Sequence, residues 1–80
     1  MAFKIKTSLL PKIITNNGID SINFIVSPCT YQEDDIQYVT EYYNPITGLY
    51  DDTKSMLYFS SSQTLLIDQS YESTEEELNA

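Results

Sequence analysis

Histidine, arginine and tryptophan are missing from this chain, and its 80 residues include one cysteine and two glycines. Each shortage removes a class of chemistry. Without histidine there is no side chain whose ordinary pKa suits general acid–base work near neutrality. Cys29 therefore has no histidine in the chain to activate it as a nucleophile. A lone cysteine cannot form an intramolecular disulfide, and a Cys/His zinc site within one chain is excluded. Cys29 reads as a small, half-buried residue after Pro28. Two glycines are too few for a phosphate-cradling loop, and no serine sits in a nucleophile elbow. The sequence predicts no catalytic residues, no cofactor and no metal site.

The missing arginines bear on partners as well. Arginine is the usual bidentate reader of phosphate and guanine. The four basic residues are Lys4, Lys6, Lys12 and Lys54, against twelve acids, for a net charge of −8. The first thirty residues hold three of the lysines and a single acid, Asp20; eleven acids follow. A basic footprint is the first sign of nucleic-acid binding, so direct binding to DNA or RNA is not expected, nor is attraction to an acidic membrane surface. No stretch approaches the ~20 apolar residues of a membrane span. Lys4 and Lys6 before Leu9-Leu10 resemble the start of a signal peptide, but Pro11 and Lys12 interrupt the apolar run. The expected location is the cytoplasm or a virion, without secretion by a signal peptide.

What the chain does have is β-forming residues and tyrosine. Five of the seven tyrosines lie in Ile36–Ser62, the stretch around which the rest is organised. Its centre is Asn44-Pro45-Ile46-Thr47-Gly48. The Asn44 side chain can cap a turn, Pro45 presets the φ of the first corner, and Gly48 can take the left-handed conformation that closes it. A loop of Pro45–Gly48 places Asn44 opposite Leu49 and Tyr43 opposite Tyr50. Continuing that register would oppose Glu41 and Asp52, and like charges directly opposite are unfavourable. Pairing is therefore expected to stop or bulge near Asp51–Lys54, before a strand through Met56–Phe59.

The remaining chain is read in the same way. Phe3–Lys6 alternates like a half-buried strand. Leu9-Leu10-Pro11 reads as a break. Asn17-Gly18 favours a tight hairpin between the β-rich runs Lys12–Thr15 and Ile19–Ser27, with Ser27–Thr30 ending the second. Thr64–Ile67 is expected to return beside Met56–Phe59. From Asp68 the composition turns polar and acidic. Ser73 with Glu76, or Thr74 with Glu77, matches a capping box, enough for about one helical turn.

These signals predict an all-β fold, a small single-domain antiparallel sheet folded as a sandwich or barrel. Residues 1–69 form the β domain and 70–80 an acidic tail, ordered where it docks; a helix within Asp68–Leu78 would make the fold α+β.

Two clusters are candidate sites. An exposed patch of Tyr42, Tyr43, Ile46, Leu49 and Tyr50 would suit a protein partner, since tyrosine joins a large contact area to a polar tip. The acids Glu33, Asp34, Asp35, Glu41, Asp51 and Asp52 read as a solvated acidic surface; the two acidic runs would meet only if the hairpin were short or twisted. The expected function is a non-enzymatic interaction or assembly subunit that binds a larger protein or itself. Abundant Ile, Asn, Ser, Thr and Tyr without Arg or Trp is the texture of small proteins from AT-rich genomes, phages included, which makes a virion accessory part the concrete expectation. The alternative is an acidic decoy that imitates nucleic acid and fills a basic groove. A small regulatory adaptor is a third reading.

Overall fold

A computed structural model describes residues 3–79. The elements, in order, are β1 (Phe3–Asn16), β2 (Ile19–Gln32), a 3-10 turn (Glu33–Asp35), β3 (Ile36–Asn44), β4 (Leu49–Phe59), β5 (Thr64–Ile67) and a helix, α1 (Tyr71–Leu78). The strands form one five-stranded antiparallel sheet in the order β2-β1-β5-β4-β3. The all-β antiparallel fold read from the sequence is the fold found, with one short C-terminal helix.

The sheet is made of two units. β1 and β2 pair along their whole length around Asn17-Gly18, from Phe3–Gln32 to Asn16–Ile19. Asn17 and Gly18 both have positive φ, 54° and 78°, as the primed hairpin turn requires. β3, β4 and β5 form a meander in which Thr64–Ile67 returns beside Ser55–Tyr58. The units join at one bridge, Ser8 to Ile67, extended by the Asp68 N–H donating to the Thr7 carbonyl at 2.8 Å.

The sheet is curled. β2 and β3 are its two edge strands, so in a flat sheet they would lie ~19 Å apart. Yet the rings of Phe24 on β2 and Tyr42 on β3 meet edge to face, with centroids 5.8 Å apart. Leu9, Tyr42 and Leu66 are buried on this side, with Phe24 and Met56 against them. On the other side Tyr31, Val39, Leu57 and Ile67 are buried, joined by Phe59, Leu65, Tyr71 and Leu78. Leu57 and Ile67 are fully buried; each contributes ~1.5–3 kcal/mol relative to exposure.

The strands of the first hairpin do not break where the sequence suggested. β1 runs unbroken through Pro11, and β2 runs through Pro28 to Gln32. The reason is the phase of the ladder. The N–H and C=O of a strand residue point to the same side. Thr7 turns its carbonyl toward Asp68, away from β2, so its partner Pro28 also turns its nitrogen outward. Pro11 lies four residues beyond Thr7 and shares that phase. Neither proline removes a bond of the ladder, and each removes a donor from an outer edge.

Residues 70–80 begin with a helix seated on the sheet. Ser70, not Ser73 or Thr74, is its N-cap: the Ser70 Oγ accepts from the Ser73 N–H at 3.2 Å. This start sets Tyr71, Thr74 and Leu78 on one face, toward the Leu57–Ile67 cluster. A helix of eight residues is marginal alone, so packing holds it. The Lys6 Nζ on β1 reaches the Glu77 Oε1 at 2.8 Å, which keeps the Glu77 carboxyl below its ordinary pKa.

Candidate functional site

The tip of the β3–β4 hairpin is built by the chemistry of its turn. The Asn44 Oδ1 accepts from the N–H groups of Ile46 and Thr47, at 2.9 and 3.3 Å. The Gly48 N–H donates to the Asn44 carbonyl at 2.8 Å, and Gly48 has φ +73°. The Thr47 Oγ1 accepts from the Leu49 N–H at 3.2 Å. These bonds fix the four-residue loop and set Asn44 opposite Leu49 and Tyr43 opposite Tyr50.

The paired tyrosines interact directly. The Tyr43 and Tyr50 rings meet edge to face with centroids 5.3 Å apart, and the two side chains stay 50% and 67% exposed. Leu49 is 67% exposed and Ile46 38%. Four of the five expected contact residues therefore cluster at the tip. Tyr42 does not join them: only 5% exposed, it packs among Leu9, Phe24, Leu66 and Met56. Burial, followed by the charge of Asp51, raises its phenol pKa, with Lys54 opposing. Behind the tip is a cleft of about 210 Å³ walled by Tyr42, Tyr43, Tyr50, Met56 and Tyr58. Further along, Tyr38 stacks on Tyr58 with centroids 4.4 Å apart and remains 52% exposed.

The expected bulge is present. Tyr42 pairs with Asp51 and Glu41 with Ser55, so Asp52, Thr53 and Lys54 are looped out of register. Asp51 organises this bulge. Its Oδ1 accepts from the Thr53 N–H at 2.9 Å and from the Thr53 hydroxyl, and its Oδ2 meets the Lys54 Nζ at 3.1 Å. The Thr53 bonds, then Lys54, lower the Asp51 pKa. The Lys54 ammonium also lies 5.1 Å from the centre of the Phe24 ring, joining the bulge to the first hairpin.

The acids are dispersed rather than gathered. Glu33 pairs with the Lys4 Nζ at 3.4 Å. Asp34 and Asp35 are exposed in the 3-10 turn that precedes β3, and Asp52 is exposed in the bulge. The length of β3 separates these two groups, ~20 Å of strand, so the acidic runs at 33–35 and 51–52 do not meet. Glu41 is half-buried opposite Ser55. Among the described residues, no group of three or more His, Cys, Asp and Glu is placed to hold a metal ion. No described helix is long and apolar enough to cross a membrane.

A larger cavity than the cleft behind the tip is an open groove of about 570 Å³ bordered by Phe3, Cys29, Tyr31, Phe59 and Gln63. Burial raises the Cys29 thiol pKa, which keeps it protonated and a poor nucleophile. Tyr31, in the same wall, is pushed up to about 12, first by burial and then by the negative charge of Glu77.

No protein-family model, curated protein or solved structure matches this chain.

A second exposed apolar surface was missed by sequence reasoning. Leu10, Ile13, Ile14, Ile19 and Ile25 are all exposed on the outer half of the β1–β2 ribbon. Apolar residues on both faces of two strands normally mark a core. The available signal was strand length: two 14-residue strands are far longer than the usual 5–6 residues and outrun a body this small.

Proposed function

We propose that this chain is a non-enzymatic interaction and assembly module that docks on a larger protein through the tip of the β3–β4 hairpin. The observation that carries the reading is the exposed Tyr43–Tyr50 pair, flanked by Leu49 and Ile46, on a turn held by the Asn44 side chain and Gly48. A rigid aromatic pair loses little conformational freedom on binding, and interfaces concentrate their energy in such anchors. The dispersed acids favour this reading over the acidic decoy, because three carboxylates, Glu33, Asp51 and Glu77, are already paired with lysines. A structural part of a virus particle is the concrete assembly that the composition suggests.

The test is affinity capture from the native source with the full-length chain as bait, followed by mass spectrometry. Tyr43→Ala and Tyr50→Ala should lose the partner that the unaltered chain retains. If both variants retain it while Asp34→Asn, Asp35→Asn and Asp52→Asn together lose it, the hairpin reading fails and the decoy replaces it.

A further inference from the structure

The outer half of the β1–β2 ribbon presents a surface made of residues other than those of the hairpin tip. Every residue from 10 to 25 is exposed except Ile22 and Phe24, which are half-buried. A 14-residue strand spans ~46 Å, and the long axis of the molecule is 48 Å. The ribbon thus runs the length of the protein; in its outer half Phe24 packs on Tyr42 and Lys54 of the meander, and the residues from Ile13 to Ser21 are exposed. Two-stranded ribbons are marginal in water without something packed on them.

The faces of the ribbon differ. Register places Pro11 beside Phe24, Ile13 beside Ile22, and Thr15 beside Asp20 on one face. Lys12 and Asn23 lie on the other, among the exposed Leu10, Ile14, Ile19 and Ile25. The first face is apolar except at its tip, where Asp20 accepts from the Thr15 hydroxyl at 2.6 Å.

Surface area and charge identify the occupant. The chain exposes 5475 Å², whereas a compact chain of 9.2 kDa exposes about 4,900 Å². The excess of roughly 550 Å² is comparable to the ~800 Å² that each partner contributes to a standard interface. Residues 10–25 contain one lysine and one aspartate and are neutral, so the rest of the chain carries the whole net charge of −8. The ribbon is therefore where two copies can meet with the least repulsion between their acidic bodies. Away from Asp20 at the tip, the Ile13–Ile22 face carries no charge on the ribbon itself and can meet its own copy, as a two-fold contact requires. Edge-to-edge strand addition is opposed by Pro11 and Pro28, whose nitrogens face the outer edges.

We propose that the outer half of the β1–β2 ribbon is a self-association surface, on which a second copy packs face to face across the Ile13–Ile22 pair. This goes beyond the hairpin docking proposed above and uses a different surface.

Sedimentation of the full-length chain over a range of concentrations tests it, with hydrogen exchange at the low and high ends. The mass should rise from one chain to two. Added salt should strengthen association by screening the like-charged bodies. Protection should be gained at residues 11–24. Ile13→Ser with Ile22→Ser should weaken association by about tenfold or more, by removing two buried aliphatic side chains. Tyr43→Ala with Tyr50→Ala should leave it unchanged, which separates this surface from the hairpin tip. A monomer throughout the range overturns the proposal. So does a dimer whose new protection falls on residues 43–50, or one that the folded isoleucine variant still forms with unaltered affinity. Should that variant fail to fold, exchange on the unaltered chain decides alone.

Discussion

The hydroxyl oxygens of Ser55 and Thr74 lie 2.8 Å apart, one on a central strand and the other on the helix, and both residues are buried. The Ser55 Oγ is also 2.8 Å from the Gln69 carbonyl, and the Thr74 Oγ1 is 2.9 Å from the Ser70 carbonyl. Two hydroxyl hydrogens are shared among these three contacts, so one hydroxyl donates to the other only by releasing its backbone carbonyl. This polar link sits beside the Leu57–Ile67 cluster and fixes the helix in one position on the sheet. Ser55→Ala should cost about 1–3 kcal/mol, the penalty for stranding buried partners. Thr74→Val should cost a similar amount, and the double variant less than the sum because the two share one link. Denaturant midpoints check this.

The Lys6–Glu77 pair makes helix docking sensitive to acid. Lys6 lowers the Glu77 pKa in the folded state. A carboxyl whose folded pKa is depressed contributes stability above its unfolded pKa, and that stability is lost as pH falls through the folded pKa. The pair should therefore support the fold at neutral pH and fail below the ordinary glutamate value of about 4.3. Lys6→Met should flatten the acid limb of a plot of stability against pH; an unchanged limb would assign it to other carboxyls.

Tyr31 sets an alkaline limit. Its folded pKa is about 12, against about 10 for an unperturbed tyrosine. Between those values the unfolded chain gives up the proton first, so stability should fall as pH rises. A late absorbance step near pH 12 should be lost in Tyr31→Phe.

Gly48 sits at φ +73°, and a Cβ added there would meet only the Tyr43 hydroxyl, at 3.8 Å. Space is available, so the cost of Gly48→Ala is the backbone conformation itself, about 1–2 kcal/mol. Thermal or urea unfolding reads it directly. A neutral result would mean that the loop relaxes out of its turn.

The turn, the Glu41–Asp52 bulge and the return of Thr64–Ile67 were legible in the sequence because each depends on neighbouring residues. Asn44, Pro45 and Gly48 specify the turn whatever surrounds it. Continuity through Pro11 and Pro28 was not legible, because it depends on which side of each strand faces a partner. Tyr42 and Tyr43 are chemically identical neighbours. Val39 is buried on one face of β3 and Tyr42 on the other, so alternation alone could not say which tyrosine would be covered. The capping boxes pointed to Ser73 or Thr74, and docking of Tyr71, Thr74 and Leu78 set the start one turn earlier, at Ser70. The exposed isoleucines of the ribbon were hidden by their own composition, which reads as core.

The salt dependence of partner binding, measured with the unaltered chain and with Tyr50→Ala, tests the central claim most directly. If the hairpin tip is the contact, affinity for the captured partner should change little between low and high salt, and Tyr50→Ala should weaken it by about 2 kcal/mol or more, as expected of an aromatic anchor. Affinity that falls steeply with salt and is indifferent to Tyr50 would contradict the account, since that is the behaviour of exposed charges screened by ions.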